Sequence, residues 1–287
     1  MRDIDISVIS PIEYRSPYYF KRDDLSVNVG GAIGGKVRTC LALAVGAKGL
    51  VTAASRKSPQ INIVAQVAKA MDLPARGHTA SGLAVNEQFM VPKPIRPLAP
   101  ELIEAQRAGL EVVEHFPGWT HVITRRAKDD ALESGYKYIP FGMECKEAVI
   151  HTSRQAIDLP GEIKRIVVPV GSGMSLSGLL HGLQKQKLKI PVLGIMVGAD
   201  PIPRLDKYAP AFWWNMVELI RSPAAYNDIG DTLELCGVPL DATYESKCVP
   251  YLEPNDLFWI IGRAASPVAD NPAHTLTSKA GSAYAHN

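Results

Sequence analysis

The sequence predicts an α/β protein whose strands form open parallel sheets. Short apolar segments alternate along the chain with segments in which apolar residues recur at the i, i+3, i+4, i+7 spacing of a one-sided helix. Three of the later strand segments are almost wholly apolar, as expected for strands that helices cover on both faces. This alternation implies parallel sheets joined by right-handed crossovers.

Six segments have the composition of strands. They lie at 49–54, 111–116, 136–140, 163–170, 192–199 and 256–262. The last three are the nearly continuous apolar runs, so the centre of a sheet is expected in the second half of the chain.

Three helices are predicted from the same spacing, at 36–46, 59–71 and 175–184. The expected buried face of the first is formed by Val37, Cys40, Leu41, Ala44 and Val45. The second begins with Ser58 and Pro59, which together are typical of an N-cap followed by the first helical residue.

Composition limits the classes of function. The chain has 287 residues and a formal net charge of +2 without a long run of one sign, so nucleic acid is not expected as the main partner. Its four cysteines form no CxxC pair, which favours free thiols in a reducing compartment over a disulfide frame or a metal site. The acidic start and the absence of a long apolar run lead us to expect a cytoplasmic protein without a membrane segment.

Lys36 follows the glycine-rich segment "GGAIGGK" at 30–36 and begins a predicted helix. A lysine is poorly placed there, because the helix dipole disfavours a cation at the N-terminus. Use as a neutral amine would explain the position, although a solvated surface lysine remains open. Arg38 points about 200° away around the helix, so it is not expected to be the charge that tunes Lys36.

The segment "VVPVGSGMSLSGLL" at 167–180 takes an apolar strand into a glycine loop and then a helix. Converging backbone N–H groups and the helix dipole make such a turn suitable for an anion. Neither the dinucleotide fingerprint nor the P-loop is satisfied, because Leu176 and Leu179 stand where those motifs need glycine and lysine. A generic phosphate site and an ordinary tight turn are both compatible with it. The candidate donors are Gly171, Ser172, Gly173, Met174 and Ser175.

The segment "LDATYESK" at 240–247 places a phenol beside two acids. If it is helical, Asp241, Tyr244 and Glu245 share one face. These groups suit acid–base work or contact with a ring nitrogen, and a hydrated surface patch is the alternative.

Taken in order, these segments resemble the fold-type II pyridoxal-phosphate (PLP) enzymes, the tryptophan-synthase-β-like group. The resemblance is strongest to the branch of 1-aminocyclopropane-1-carboxylate (ACC) deaminase and D-cysteine desulfhydrase. It rests on "KRDDL" at 21–25, the glycine lead into Lys36, the "GSGMSLSG" loop and "YESK" at 244–247, and it runs from about Ser10 to Gly262.

The resemblance implies roles for these residues. Lys36 would hold PLP as a Schiff base and later act as the general base, and the 171–175 loop would hold the phosphate. Glu245 would contact the pyridine nitrogen, and Tyr244 would lie on the substrate side as acid, base or stacking partner. Ser58 would lie near the substrate carboxylate.

The sequence departs from that branch around the substrate. The usual S-N-H reads Ser58, Pro59, Gln60 here, so Gln60 or Asn62 would have to replace the asparagine, or its contact with the cofactor is lost. The late strand leads to Arg263, which either binds an anion or is a surface residue. Ser246 stands where glycine is usual.

The resemblance also implies the architecture and a partner. Two α/β lobes are expected, with residues 1–45 and 142–287 forming the large PLP-binding domain and 46–141 the small one. The cofactor would lie in the cleft between them, and a homodimer is expected. We expect a PLP-dependent lyase, deaminase or transferase that acts on an amino acid or an amino-acid-bearing molecule. A PLP-binding protein with little catalysis, and an α/β protein that binds another phosphate ligand, are the alternatives.

Overall fold

The computed structural model describes residues 5–81, 85–86, 91–92, 99–116, 118–226 and 228–262. Arg263 and the tail that follows it lie outside these residues, and so do the expectations that concern them.

The strands in chain order are β1 (Ile12–Arg15), β2 (Tyr18–Arg22), β3 (Leu50–Ala53), β4 (Ala75–Ala80), β5 (Val85–Asn86), β6 (Val91–Pro92), β7 (Glu111–His115), β8 (Lys137–Ile139), β9 (Ile166–Val170), β10 (Val192–Met196), β11 (Val217–Arg221), β12 (Glu234–Leu235), β13 (Val238–Pro239) and β14 (Leu257–Ile260). The α-helices are α1 (Lys36–Ala44), α2 (Pro59–Ala70), α3 (Pro100–Arg107), α4 (Thr120–Ser134), α5 (Lys146–Ser153), α6 (Met174–Lys185) and α7 (Ile202–Tyr208). Short 3-10 helices cover Asp23–Leu25, Phe141–Met143, Trp213–Asn215 and Glu245–Tyr251.

The larger sheet has six strands in the order β1-β2-β14-β9-β10-β11. Its pairings are parallel except for the antiparallel pair of β1 and β2 at one edge. The predicted parallel sheets are confirmed, and the β1–β2 pair is an antiparallel addition at the edge of the larger one. Only Ser16 and Pro17 connect β1 to β2, and so short a connection can join only antiparallel strands.

The smaller sheet has four parallel strands in the order β7-β4-β3-β8. All four lie between residues 50 and 139, inside the range predicted for the smaller domain. Helix α1, which the prediction gives to the larger domain, packs against α2 and α5 and shares a core with residues of β3. The predicted division at 45 and 141 stays a prediction.

The α/β fold class is confirmed, and each of the six predicted strands is present in shortened form. In the two larger sheets, β1, β2, β4 and β11 are strands that the sequence did not indicate. β4 reads ARGHTA, in which arginine, glycine and histidine hide the strand signal, although its His78 is buried against His115.

The predicted helices are present, with small differences at their ends. α1 ends at Ala44, and Val45 is extended and 75% exposed, so its assignment to the buried face is wrong. α2 begins as predicted, because the Ser58 side chain accepts a hydrogen bond from the Gln60 N–H at 3.3 Å and Pro59 is the first helical residue. α6 begins at Met174, one residue earlier than predicted.

Within the described ranges, no helix combines the length and the apolar character that a membrane crossing requires. The four cysteines are free, and in the same ranges no group of acidic, histidine or cysteine side chains is arranged to hold a metal ion.

Candidate functional site

A cleft of about 680 Å³, counting space open to solvent, brings the two main candidate segments together. Lys36 lines it, and so do the glycine loop and first turn at Gly171, Ser172, Gly173 and Ser175. The cleft lies at the carboxyl ends of β9 and β14 and beside the start of α2, which is where open parallel sheets place ligands.

The glycines before Lys36 fix the position of its helix. Gly34 has φ +101°, and a Cβ there would lie 2.5 Å from the carbonyl oxygen of Ile261. The Gly35 N–H donates to that same oxygen at 3.2 Å. The glycines therefore let the chain pack directly on the end of β14, and this contact places Lys36 at the start of α1.

Lys36 is half-buried, and the desolvation of its amine lowers the pKa below the ordinary 10.5. Arg38 faces away from it, as predicted, and its NH2 donates to Asp23 at 3.1 and 3.2 Å. The pKa of Lys36 is thus lowered by burial alone. A neutral amine is the form that acts as a nucleophile and a base.

The loop after β9 presents backbone to the cleft. Gly173 has φ +88° and is the N-cap of α6, and Gly171 lies so close to Tyr244 that a Cβ would be 2.9 Å from its ring. The first N–H groups of α6 have no partner within the helix and can bind an anion. Met174 differs from its neighbours, because its side chain is buried in the core. Only its backbone N–H could therefore bind an anion.

Glu245 is fully buried beneath the cleft. Its Oε1 accepts the N–H groups of Ile261 at 2.8 Å and Gly262 at 3.3 Å, whereas Oε2 is buried without a hydrogen-bond partner among the described residues. Burial, and then the charge of Asp241, raise the pKa of Glu245 well above 4.5 despite these hydrogen bonds. The carboxyl group is thus a buried acid with one oxygen that has no partner among the described residues.

The segment around Tyr244 is a turn rather than the helix that would place Asp241, Tyr244 and Glu245 on one face. Asp241 Oδ1 accepts the backbone N–H groups of Thr243 at 2.8 Å and Tyr244 at 3.0 Å, which forms a turn, and the 3-10 helix begins only at Glu245. A short acidic side chain competes with helical hydrogen bonds in this way. The turn separates the residues: Asp241 and Tyr244 line the cleft, and Glu245 is buried behind them.

A second cavity of about 830 Å³, counting open space, adjoins the first and shares Lys36, Gly171, Ser172 and Tyr244 with it. Its further walls include Ser58, Gln60, Phe141, Arg204 and Tyr226. The cleft therefore continues past Lys36, away from the first turn of α6.

Tyr244 joins the two cavities. Its hydroxyl lies 3.1 Å from the hydroxyl of Tyr226, and the two rings meet edge to face. Burial, and then the neighbouring phenol, raise the pKa of Tyr244. Its hydroxyl therefore keeps its proton at neutral pH.

The structure uses Gln60 and Asn62 in packing. Gln60 donates to Thr52 Oγ1 at 2.8 Å and to the Pro140 carbonyl at 2.9 Å, and it accepts the Gly142 N–H at 2.7 Å. Asn62 accepts from Gln66 at 3.2 Å. Both amide hydrogens of Gln60 are thus committed, so contact between Gln60 and the cofactor stays a prediction that requires its Oε1 or a rearrangement.

Comparison with known proteins shows which structures the fold is similar to. No protein-family model and no curated protein matches the chain. The chain is similar to a solved structure described as an ACC deaminase homologue, at 22% identity and TM-score 0.71, with 89% of each chain covered. It is also similar to threonine deaminase isoform 2 of Solanum lycopersicum, at 13% identity and TM-score 0.62, covering 94% of this chain and 87% of that one. A PLP-dependent aspartate racemase matches at 14% identity and TM-score 0.59, with 93% of each chain covered. The chain has the fold of the fold-type II PLP enzymes.

Within this fold-type II chain, the sequence did not indicate Arg204 or Tyr226 as cleft residues. Arg204 lies in α7, and Tyr226 follows β11 in an irregular segment. Neither belongs to a motif, and only the folding of distant segments brings them beside Lys36. A tyrosine or an arginine in a loop carries no local signal of such a position.

Proposed function

We propose that this protein is a PLP-dependent enzyme acting on the α-amino group of an amino acid. The observation that supports the proposal most is the shared cleft, in which the Lys36 amine and the N-terminal end of α6 face the same space. The fold-type II fold of the chain supports the same cofactor.

The residues present fit the cofactor. Lys36 Nζ would attach it covalently, and the backbone N–H groups at 171–175 would bind its phosphate. The unpartnered Glu245 Oε2 is the atom a ring nitrogen would satisfy, since a buried polar atom without a partner costs about 1–3 kcal/mol. A shared proton there would stabilise positive charge on the ring.

When bound, PLP withdraws electrons from the α-carbon of an amino acid and so weakens the bonds to that carbon. The free Lys36 amine would take the proton from that carbon and hold it. Burial lowers the pKa of this amine and so favours the neutral form that acts as a base. Tyr244 donates its hydroxyl proton towards the substrate side, with Tyr226 orienting it.

Elimination, β-replacement and the deamination of an amino acid that carries an α-hydrogen all begin with this step. Ser58 lies at the start of α2 in the second cavity, where its hydroxyl and the helix N-terminus suit the substrate carboxylate. We also propose a cytoplasmic homodimer; its four free thiols suit a reducing compartment, and light scattering of the purified protein tests the dimer.

Titration of the purified protein with PLP tests the function. We expect a visible absorption band that grows to one equivalent, and we expect that band to shift when substrate amino acids are added singly. A protein that stays colourless and shows no affinity for PLP would contradict the proposal and favour a different phosphate ligand.

A PLP-binding protein with little catalysis is the second candidate. It is favoured by Pro59, which lines the cleft with no polar side-chain atom or N–H, and by the committed amide of Gln60. A visible band that no L- or D-amino acid shifts would support this candidate over the enzyme.

A further inference from the structure

Arg204 lies in the wall of the second cavity, beyond Lys36. Its guanidinium is permanently charged, and its side chain is 26% exposed. Within the described ranges, its NH1 and NH2 groups have no hydrogen-bond partner, because Nε alone donates to Glu144 Oε2 at 2.9 Å. Two donors of a fixed fork are therefore available to a ligand.

Glu144 holds this guanidinium in place. The carboxylate also accepts from Lys207 Nζ at 3.3 Å. Burial raises the pKa of Glu144, but the hydrogen bonds and charges of Arg204 and Lys207 outweigh it, and the net pKa is lowered. The carboxylate is thus ionised at neutral pH.

The Glu144 carboxylate pairs with two cations, Arg204 and Lys207, so these three side chains together carry a net positive charge. Lys207 is mostly exposed, with 63% of its side chain accessible, and it lines a different cavity. The acidic side chain of Asp241 lines the first cavity and does not line the second. Apart from Lys36, the described residues that line this cavity with Arg204 have neutral side chains, among them Ser55, Phe141 and Tyr226.

We propose that the substrate is an amino acid whose side chain ends in a second anionic group, a carboxylate or a phosphate, and that Arg204 binds that group. This inference rests on the proposed function. Lys36, Gly171, Ser172 and Tyr244 line both cavities, whereas Arg204 lines only the second. Ser58 at the start of α2 also lines the second cavity, so the α-carboxylate would bind at the start of α2 and the second anion at the separate Arg204 guanidinium. The planar fork matches either anion through two parallel hydrogen bonds.

The experiment compares matched pairs of amino acids on the PLP-loaded protein. The pairs are aspartate with asparagine, glutamate with glutamine, and O-phosphoserine with serine, each as both enantiomers. The readout is the concentration that produces half of the change in the visible spectrum, so it does not depend on turnover. The phosphate pair and the carboxylate pairs separate the two kinds of anion.

Two variants make the test specific. Arg204→Gln removes the charge that faces the cavity, and Lys207→Gln removes a charge that contacts the same carboxylate outside it. We expect the unaltered protein to bind one acidic member at least about tenfold more tightly than its neutral partner, which is about 1.4 kcal/mol. Arg204→Gln should abolish that preference, and Lys207→Gln should keep it.

Each other outcome overturns the inference in a recognisable way. Equal binding of acidic and neutral partners would show that the protein does not recognise an anion at the end of the side chain. Uniform weakening of every amino acid by Arg204→Gln would assign Arg204 to the α-carboxylate instead. In both cases the proposed function stands, whereas a protein that takes up no PLP, or whose band no amino acid shifts, contradicts the proposed enzyme and this inference together.

Discussion

Burial perturbs Lys36 and Glu245 in opposite directions. Desolvation lowers the pKa of the amine and raises the pKa of the carboxyl group, so each is driven towards its neutral form. The Lys36 amine lines the cleft, and Glu245, with one unpartnered oxygen, is buried behind the cleft residue Tyr244. Two groups perturbed in this way make the cleft a candidate site of chemistry.

Glu245→Gln tests the carboxyl group in the cofactor-free protein. The pKa of Glu245 is raised in the folded state, so its stabilising contribution is complete below the ordinary value of 4.5 and is lost as the pH rises through the raised value. Relative to Glu245→Gln, the unaltered protein should lose unfolding free energy as the pH rises over this range. Urea unfolding at a series of pH values measures the difference.

Glu234→Gln is the matched control, because Glu234 is exposed in β12. Its unfolding free energy should follow that of the unaltered protein at every pH. A Glu245→Gln profile that also runs parallel to the unaltered protein would refute the raised pKa.

At the scale of elements, the glycine segment before α1 acts as a spacer of fixed geometry. Gly31 and Gly34 both have positive φ, but only Gly34 packs against another strand end. The close contact with Ile261 connects the position of Lys36 to β14, and the backbone of β14's end is in turn held by Glu245.

Gly34→Ala and Gly31→Ala separate backbone strain from contact. Both substitutions place alanine at positive φ, which costs of order 1–3 kcal/mol. Gly34→Ala also forces a Cβ to 2.5 Å from the Ile261 oxygen, whereas at Gly31 nothing lies within 4 Å. We expect Gly34→Ala to be the more destabilising in urea unfolding and to slow the attachment of PLP. Equal effects of the two substitutions would show that the contact with β14 is unimportant.

The smaller sheet contains a hydrogen-bonded chain whose direction one arginine determines. Arg126 NH1 donates to His115 Nδ1 at 2.9 Å, because arginine cannot accept. His115 Nε2 therefore carries the proton and donates to His78 Nδ1 at 2.8 Å, and His78 Nε2 donates to Asp130 at 2.8 Å. Both rings are neutral in this arrangement.

The hydrogen bonds from Arg126 through the two histidines to Asp130 predict that the protein loses stability in acid. Burial, followed by the nearby His78 ring and the charge of Arg126, lowers the pKa of His115 below 6.5. The unfolded chain then binds more protons than the folded one, so stability falls as the pH drops from 6.5 towards the lowered pKa. His115→Gln should flatten this slope in urea unfolding, and His121→Gln, at an exposed position, should not. Identical slopes for all three proteins would contradict the assignment.

For the whole molecule, Asp23 joins three distant segments. Its carboxylate accepts from Arg38 in α1, from Trp259 Nε1 in β14 at 3.1 Å and from Ser10 Oγ at 2.7 Å. Arg38 is fully buried; its NH2 donates to Asp23, and its Nε and NH1 have no hydrogen-bond partner in the described chain. The "KRDDL" segment is therefore structural: it fastens the helix of Lys36 to the centre of the larger sheet.

Asp23→Asn should destabilise the protein by about 3–5 kcal/mol, because it leaves a buried guanidinium charge without its counter-ion. Asp129→Asn, which breaks the exposed pair with Arg125, should cost less than about 1 kcal/mol. Thermal unfolding of both variants measures the contrast. If the two substitutions cost the same, the buried cluster does not hold the molecule together.

Local pattern predicted the fold class, the three helices and the two glycine segments, because these depend on apolar periodicity and on backbone freedom near in sequence. It could not predict that Gln60 packs against Thr52 and Pro140, or that Arg204 and Tyr226 reach the cleft, since these contacts join residues far apart in the chain. The sequence pattern at 240–247 is also compatible with a helix. It could not show that the Asp241 side chain accepts the Thr243 N–H and so forms a turn instead.

The most direct test of the central claim is to reduce the PLP-loaded protein with borohydride and map the labelled peptide by mass spectrometry. We expect a single pyridoxyl group on the peptide that contains Lys36, and no labelled peptide in Lys36→Ala. A label on another lysine, or an undiminished label in Lys36→Ala, would contradict it.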